Sequence, residues 1–170
     1  MSYYPTGTKE FSTFAYRQLF NMQALNLPSY PYKITQKDNR TLIFDPRRRK
    51  YVTLTPEEWV RQHFVNFLVN YKAFPAGRIA NEITVELNGM KKRSDTVVFD
   101  TFGKPFVMVE YKAPSVKITQ EVFDQIARYN IVMRVKYLIV SNGISHYCCM
   151  IDYSDQSYKF LKEIPDFGSL

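Results

Sequence analysis

Two short apolar runs rich in Val and Phe, Thr96 to Phe99 and Phe106 to Val109, flank Thr101-Phe102-Gly103-Lys104. Such runs around a Gly-containing tetrapeptide predict a β-hairpin, and a hairpin dictates which residues meet. With the tetrapeptide as the loop, Asp100 faces Pro105, and counting back along both strands brings Asp95 opposite Glu110. Directly opposed side chains on antiparallel strands have Cβ atoms about 4.5–5.5 Å apart, and like charges there repel unless something lies between them. A divalent cation would resolve the conflict. Strand alternation places Glu110 and Lys112 on one face and Val109 and Tyr111 on the other, so Asp, Glu and Lys would be presented together. Two carboxylates suit Mg²⁺, which keeps its remaining positions for water and phosphate oxygens, and the lysine completes a site for phosphodiester hydrolysis. The competing account is a solvated surface hairpin, in which one bulge would misalign the acidic pair.

The surrounding chain predicts an α/β domain. Thr55-Pro56-Glu57-Glu58 opens a helix, with Thr55 at the N-cap, Pro56 in the first turn and Glu58 in position for a capping box. Val60, Phe64, Phe67, Leu68 and Tyr71 continue it as an apolar stripe that stops before Pro75. Ile79 to Leu87 alternates as a half-buried strand, with Glu82 and Glu86 on its solvent side, and Asn88-Gly89 is a two-residue turn signal. After Pro114, a helix over Ile118 to Met133 has Thr119 as a candidate N-cap and a stripe of Ile118, Val122, Gln125, Tyr129 and Met133. Val135 to Val140, His146 to Ile151 and Ser157 to Leu161 read as strands. Upstream, Thr41 to Phe44 and Tyr51 to Leu54 form a small hairpin whose turn carries Arg47-Arg48-Arg49-Lys50, and Leu25 to Tyr32 reads as extended chain or loop. Helix, three strands, helix, strand is an αβββαβ core with a mixed central sheet flanked by helices.

Asp95 followed by Glu110-Tyr111-Lys112 resembles the PD-(D/E)xK nuclease signature, with Ser94 where that signature has proline. Together with PEEWVRQHF (Pro56 to Phe64), KRSD, VEYKAP, VFDQIARYN and LIVSNG, the chain from about Met22 to Phe167 is similar to the N-terminal nuclease domain of type I restriction enzyme restriction subunits. The resemblance implies a restriction-endonuclease-like fold in one domain, residues 22–170, after an N-terminal arm, residues 1–21, of uncertain order. It implies a nuclease that hydrolyses DNA with Mg²⁺, for which Mn²⁺ can substitute. Asp95, Glu110 and the backbone carbonyl of Tyr111 would hold the metal, and Lys112 would orient or deprotonate the attacking water or stabilise the transition state. Glu58 is either a further metal ligand or only a helix cap. Gln125 and Tyr129 match a Q-x-x-x-Y pair that borders the site in one branch of these enzymes and meets the DNA backbone.

Charge supports a polyanionic partner. The chain carries a formal +7 and a pI near 9.3, and Lys91-Lys92-Arg93 abuts Asp95, which suits contact with phosphates. Arg128 is a further candidate for the backbone, and Arg61 either reaches phosphate or pairs with Glu57 or Glu58. The run at Arg47 to Lys50 reads as a solvated loop. His63 reads as a packed or surface histidine rather than a catalyst. Cys148 and Cys149 are adjacent, unsuited to an ordinary disulfide, and look like half-buried strand residues in a reducing compartment. No apolar run approaches the roughly 18 residues of a membrane helix, and the first residues lack the pattern of a secretion signal, so the expected location is the cytoplasm. No G-x-x-x-x-G-K-[ST] occurs, so the ATP-driven motor of restriction subunits is expected in a partner, motor or specificity subunit acting in trans; a homodimer is compatible. A catalytically silent nucleic-acid-binding module working with such a partner is the alternative, and it would hold DNA equally well in EDTA.

Overall fold

The computed structural model describes residues 22–87, 90–131 and 134–170, with side chains described outside 85–92 and 128–133. The Asn88-Gly89 turn and the arm at residues 1–21 lie outside the described residues. Two sheets sandwich the first helix. The larger sheet has the strand order β4 (Ile79–Leu87), β5 (Met90–Phe99), β6 (Pro105–Tyr111), β7 (Tyr137–Ser141), β8 (His146–Asp152) and β9 (Ser157–Phe160). All neighbours are antiparallel except β6 and β7, which run parallel and are joined through helix α2 (Gln120–Ile131). A parallel neighbour needs such a crossover connection. With helix α1 (Pro56–Tyr71) ahead of β4, the order is the expected αβββαβ core, extended by two strands.

Each face of the large sheet has its own core. Val107, Val109 and Tyr111 of β6 pack with Val60, Phe64 and Leu68 of α1, whereas Met108 packs with Phe123, Ile126 and Ala127 of α2. Cys148 belongs to the first core and Cys149 to the second. Both cysteines are therefore fully buried rather than half-buried, because a strand covered on both faces buries successive residues; burial pushes both thiols up to about 12.

Helix α1 begins as its sequence dictates. Thr55 is extended, and its hydroxyl accepts the Glu58 N–H at 3.1 Å. The helix is buried on more than one face, however: Trp59 packs with Leu54 and with Ile43 from a second, three-stranded sheet of β1 (Ile34–Lys37), β2 (Arg40–Asp45) and β3 (Lys50–Thr53). The small hairpin is thus the last two strands of this sheet. Tyr71, expected on the stripe, is 57% exposed.

The chain before β1 crosses the turn after β7. Asn26 N–H donates to the Gly143 carbonyl at 2.7 Å, and the Asn26 carbonyl lies 3.1 Å from His146 Nε2. Gly143 has φ +81°, and a Cβ there would stand 2.6 Å from Leu25 Cδ2 and 3.1 Å from Val60 Cγ2. Gly143→Ala combines left-handed backbone strain with a clash in the core, so it should cost roughly 2–4 kcal/mol, read as a lowered urea midpoint with unchanged slope.

Candidate active site

The β5–β6 ladder has the predicted register from Thr96 to Val98. Thr96 pairs with Val109, Val97 with Met108 and Val98 with Val107, and the pairing ends one residue short of Asp95 and Glu110. The bulge lies on the other side, toward the turn: Phe99, not Asp100, faces Pro105. Asp100 instead closes the loop, its Oδ1 accepting the N–H groups of Phe102 and Lys104, both at 2.8 Å. The extra residue is therefore absorbed about half the strand away from the acidic pair.

At Asp95 the strands part. Asp95 Oδ2 accepts the Tyr111 backbone N–H at 2.9 Å, while the next N–H, that of Lys112, pairs with Ser141 of β7 at 2.9 Å. A carboxylate that receives a main-chain N–H forms a charge-assisted bond and is fixed in orientation. The sheet also changes phase here. Thr96 belongs to the α1 side, because its hydroxyl receives the Tyr111 hydroxyl at 3.1 Å and donates to Asn81 Oδ1 at 2.8 Å. Ser94, two residues earlier, lies instead near Met108 Sδ at 3.8 Å, on the α2 side. Residues two apart should share a face, so the alternation breaks at Asp95. On β4 the matching break is at Glu82, whose φ is +55°, between Asn81 paired with Thr96 and Ile83 paired with Ser94. This kink turns Asp95 along the sheet toward β6.

Glu110 and Lys112 are half-buried and leave the α1 side to Val109 and Tyr111, as alternation requires. Tyr111 is 4% exposed. Burial raises its phenol well above the ordinary range, outweighing the bond to Thr96, so the hydroxyl stays a donor and pins this segment of β6 to β5. Among the described residues no group of three or more His, Cys, Asp and Glu side chains gathers. Were Asp95, Glu110 and the Tyr111 carbonyl to share an ion, two carboxylates and a main-chain oxygen would suit Mg²⁺, which binds through one or two carboxylates and keeps several waters.

The other predicted residues are distributed differently. Glu58 and Arg61 are 8% and 2% exposed and belong to a buried cluster beneath the smaller sheet. Arg61 pairs with Glu58 and, at 3.1 Å, with Asp45. Arg48 reaches Asp45 at 2.6 Å and Glu58 at 3.2 Å, and Gln62 donates to Glu58 at 2.7 Å. Arg61 is therefore a buried ion-pair residue, and the Glu58 carboxylate is engaged by two guanidinium groups and by Gln62. The Arg47–Lys50 run is likewise not simply solvated: besides Arg48, Arg47 donates to the Ala76 carbonyl at 2.7 Å.

Gln125 is exposed. Helix α2 buries Phe123, Ile126 and Ala127 against Val97, Met108, Leu138 and Val140 of the sheet, with Phe123 also meeting the tilted rings of Tyr158 and Phe160 at 5.2 and 4.7 Å, and this rotates the helix away from the expected stripe. The side chains of Tyr129, Arg128, Lys91 and Lys92 lie outside the described residues; Lys91 and Lys92 sit in β5, paired with Glu86 and Val85. Arg93 is 72% exposed at its side chain and pairs with Glu82, which is half-buried rather than solvent-facing. His63 is packed, as expected: it is 5% exposed, with Nδ1 2.9 Å from the Trp59 carbonyl.

The buried cluster makes stability depend on acid pH. Burial raises the Asp45 pKa, but hydrogen bonds from Arg48 and Arg47 and the charge of Arg61 outweigh it and hold the carboxyl below its ordinary value. Protons therefore bind the unfolded chain first. The contribution is complete above about pH 4, near the unfolded value, and is lost as pH falls through the lower folded value. Urea midpoints should fall more steeply below pH 4 in the wild type than in Asp45→Asn, which is less stable at neutral pH.

A mixed sheet with a parallel β6–α2–β7 crossover, and an acid held at the parting of β5 and β6, define an α/β domain with an αβββαβ core. Residues 56–165 match the family described as type I restriction enzyme R protein N terminus (HSDR_N), and the chain belongs to that family. A solved fragment assigned as an HsdR subunit of a type I restriction enzyme from Vibrio vulnificus YJ016 is similar at 21% identity and a TM-score of 0.47, over 66% of this chain and 24% of that one. No curated protein sequence matches. Among the described residues no helix is long and apolar enough to cross a membrane.

Proposed function

We propose that this chain is a metal-dependent nuclease domain that hydrolyses DNA phosphodiester bonds within a type I restriction system. The observation that carries this reading is the Asp95 carboxylate bonded to the Tyr111 main chain, next to Glu110 and Lys112, inside the span that matches the R-protein family. Asp95, Glu110 and the Tyr111 carbonyl would hold Mg²⁺, with Mn²⁺ able to substitute. When bound, the ion would supply charge on the phosphate oxygens and acidify a water. Lys112 orients the attacking water and meets negative charge as it builds on the phosphate. Tyr111 and Thr96 keep the two strands in register under this load. Arg93 exchanges its exposed pair with Glu82, which is worth little in water, for a backbone phosphate; Lys91 and Lys92, and on α2 Gln125, Tyr129 and Arg128, track the strand on either side. Such contacts position DNA without reading sequence, so translocation and target choice fall to other parts of the restriction complex.

The test is cleavage of supercoiled plasmid in Mg²⁺, Mn²⁺ or EDTA. Nicking that requires the ion supports the reading. DNA binding that weakens with salt yet ignores metal, with no nicking, would replace it with that of a binding module.

A further inference from the structure

A cleft of about 550 Å³ runs between α1 and the smaller sheet, on the α1 side of the large sheet and away from the face of Glu110 and Lys112. Its size falls within the roughly 300–1,000 Å³ of small-ligand sites. One wall is aromatic, from Tyr32 and Phe44. The other is a row of carboxamides: Asn66 and Asn70 stand one turn apart on α1, and Asn81 of β4 lies at the floor. Asn81 Oδ1 already accepts the Thr96 hydroxyl at 2.8 Å, so the amide's donor end is the one available to a ligand. Lys33 and Arg47 line the same cleft and are exposed, whereas Asp45, also in the lining, is neutralised by Arg48 and Arg61.

From this arrangement we infer that the cleft binds an unpaired nucleotide, with the base between Tyr32 and the asparagines and the phosphate toward Lys33 and Arg47. Each part of a nucleotide has its counterpart. Every base has a face that stacks on an aromatic ring, carboxamides donate to and accept from base edges, and cations meet the phosphate. A paired base inside a duplex presents neither its face nor its pairing edge, so the site selects unpaired nucleotides. Residues 30–47 precede residue 56, where the family match begins, and the inference stands whether or not the hairpin site cleaves.

The chain reports on its own cleft. Its single tryptophan, Trp59, lies edge-on to Tyr32 with ring centroids 5.0 Å apart, so a base stacked on Tyr32 should alter Trp59 emission. The full chain would be titrated in EDTA with dAMP, a short single-stranded oligonucleotide and a blunt duplex. Saturable change is expected with unpaired nucleotides and not with duplex. Equal affinity for dAMP and the oligonucleotide would assign a free nucleotide as occupant, and much tighter oligonucleotide binding would assign an unpaired stretch of strand. By anisotropy of the labelled ligand, Tyr32→Ala and Asn66→Ala should each weaken binding by about tenfold, the scale of one lost stack or base contact. Tyr32→Phe, which keeps the ring, should bind as the wild type does, and Lys112→Ala should leave affinity intact. No saturation, an equal response to duplex, or binding lost in Lys112→Ala but kept in Tyr32→Ala would overturn the assignment.

Discussion

Lys112→Ala should lower metal-dependent plasmid nicking by about 10²–10⁴-fold, the usual scale for removing a positioned acid–base group, while folding and DNA affinity change little. The half-buried side chain follows directly on Tyr111, whose N–H is held by Asp95 and whose carbonyl is a proposed metal ligand. Removing the amine leaves the carboxylates and the strand register in place. Asp95→Asn separates two roles that this geometry joins in one residue. The amide oxygen can still accept the Tyr111 N–H, so the hairpin should remain folded, but the charge that would attract Mg²⁺ is gone. The Mg²⁺ concentration needed for half-maximal nicking should rise in Asp95→Asn, whereas Lys112→Ala lowers the rate at saturating metal. Nicking that persists at the wild-type rate in Lys112→Ala would place the chemistry elsewhere.

The parts of this site that sequence could supply are those governed by short-range periodicity. A side-chain period of two makes a strand's register costly to shift, so the Val and Phe runs sufficed to set Thr96 against Val109 and Val98 against Val107, and Thr55-Pro56 sufficed to start α1. The hairpin loop departs from the expected one because Pro105 lacks an N–H to continue a ladder and Asp100 supplies an Asx turn instead. On α2, two stripes one residue apart compete, one through Val122 and Gln125 and one through Phe123, Ile126 and Ala127. Residues distant in sequence, among them Val97, Met108 and Leu138 of the sheet and the aromatic side chains of β9, decide between them. The kink at Glu82 and Asp95 has no sequence signal beyond two acids on neighbouring strands; its mark is three-dimensional, Thr96 and Ser94 packing on opposite faces.

Arg61→Ala should be among the most destabilising single substitutions in the domain, costing roughly 3–5 kcal/mol. Both carboxylates that Arg61 serves are buried, Asp45 at 1% and Glu58 at 8% exposure. Truncation would leave Arg48, itself partly solvated, to neutralise both. Against the 5–15 kcal/mol that usually separates folded from unfolded domains, and at roughly 2–4 °C per kcal/mol for a chain of this size, Tm should fall by about 6–20 °C. The loss comes mainly from the stranded charge rather than the missing attraction. Glu58→Gln in the Arg61→Ala background should therefore restore much of it, because a neutral amide can still bond to Gln62 while Arg48 is left to Asp45 alone. A double-mutant cycle measures this coupling directly. If Arg61→Ala and the double variant unfold at the same urea concentration, burial of charge is not what the arginine relieves.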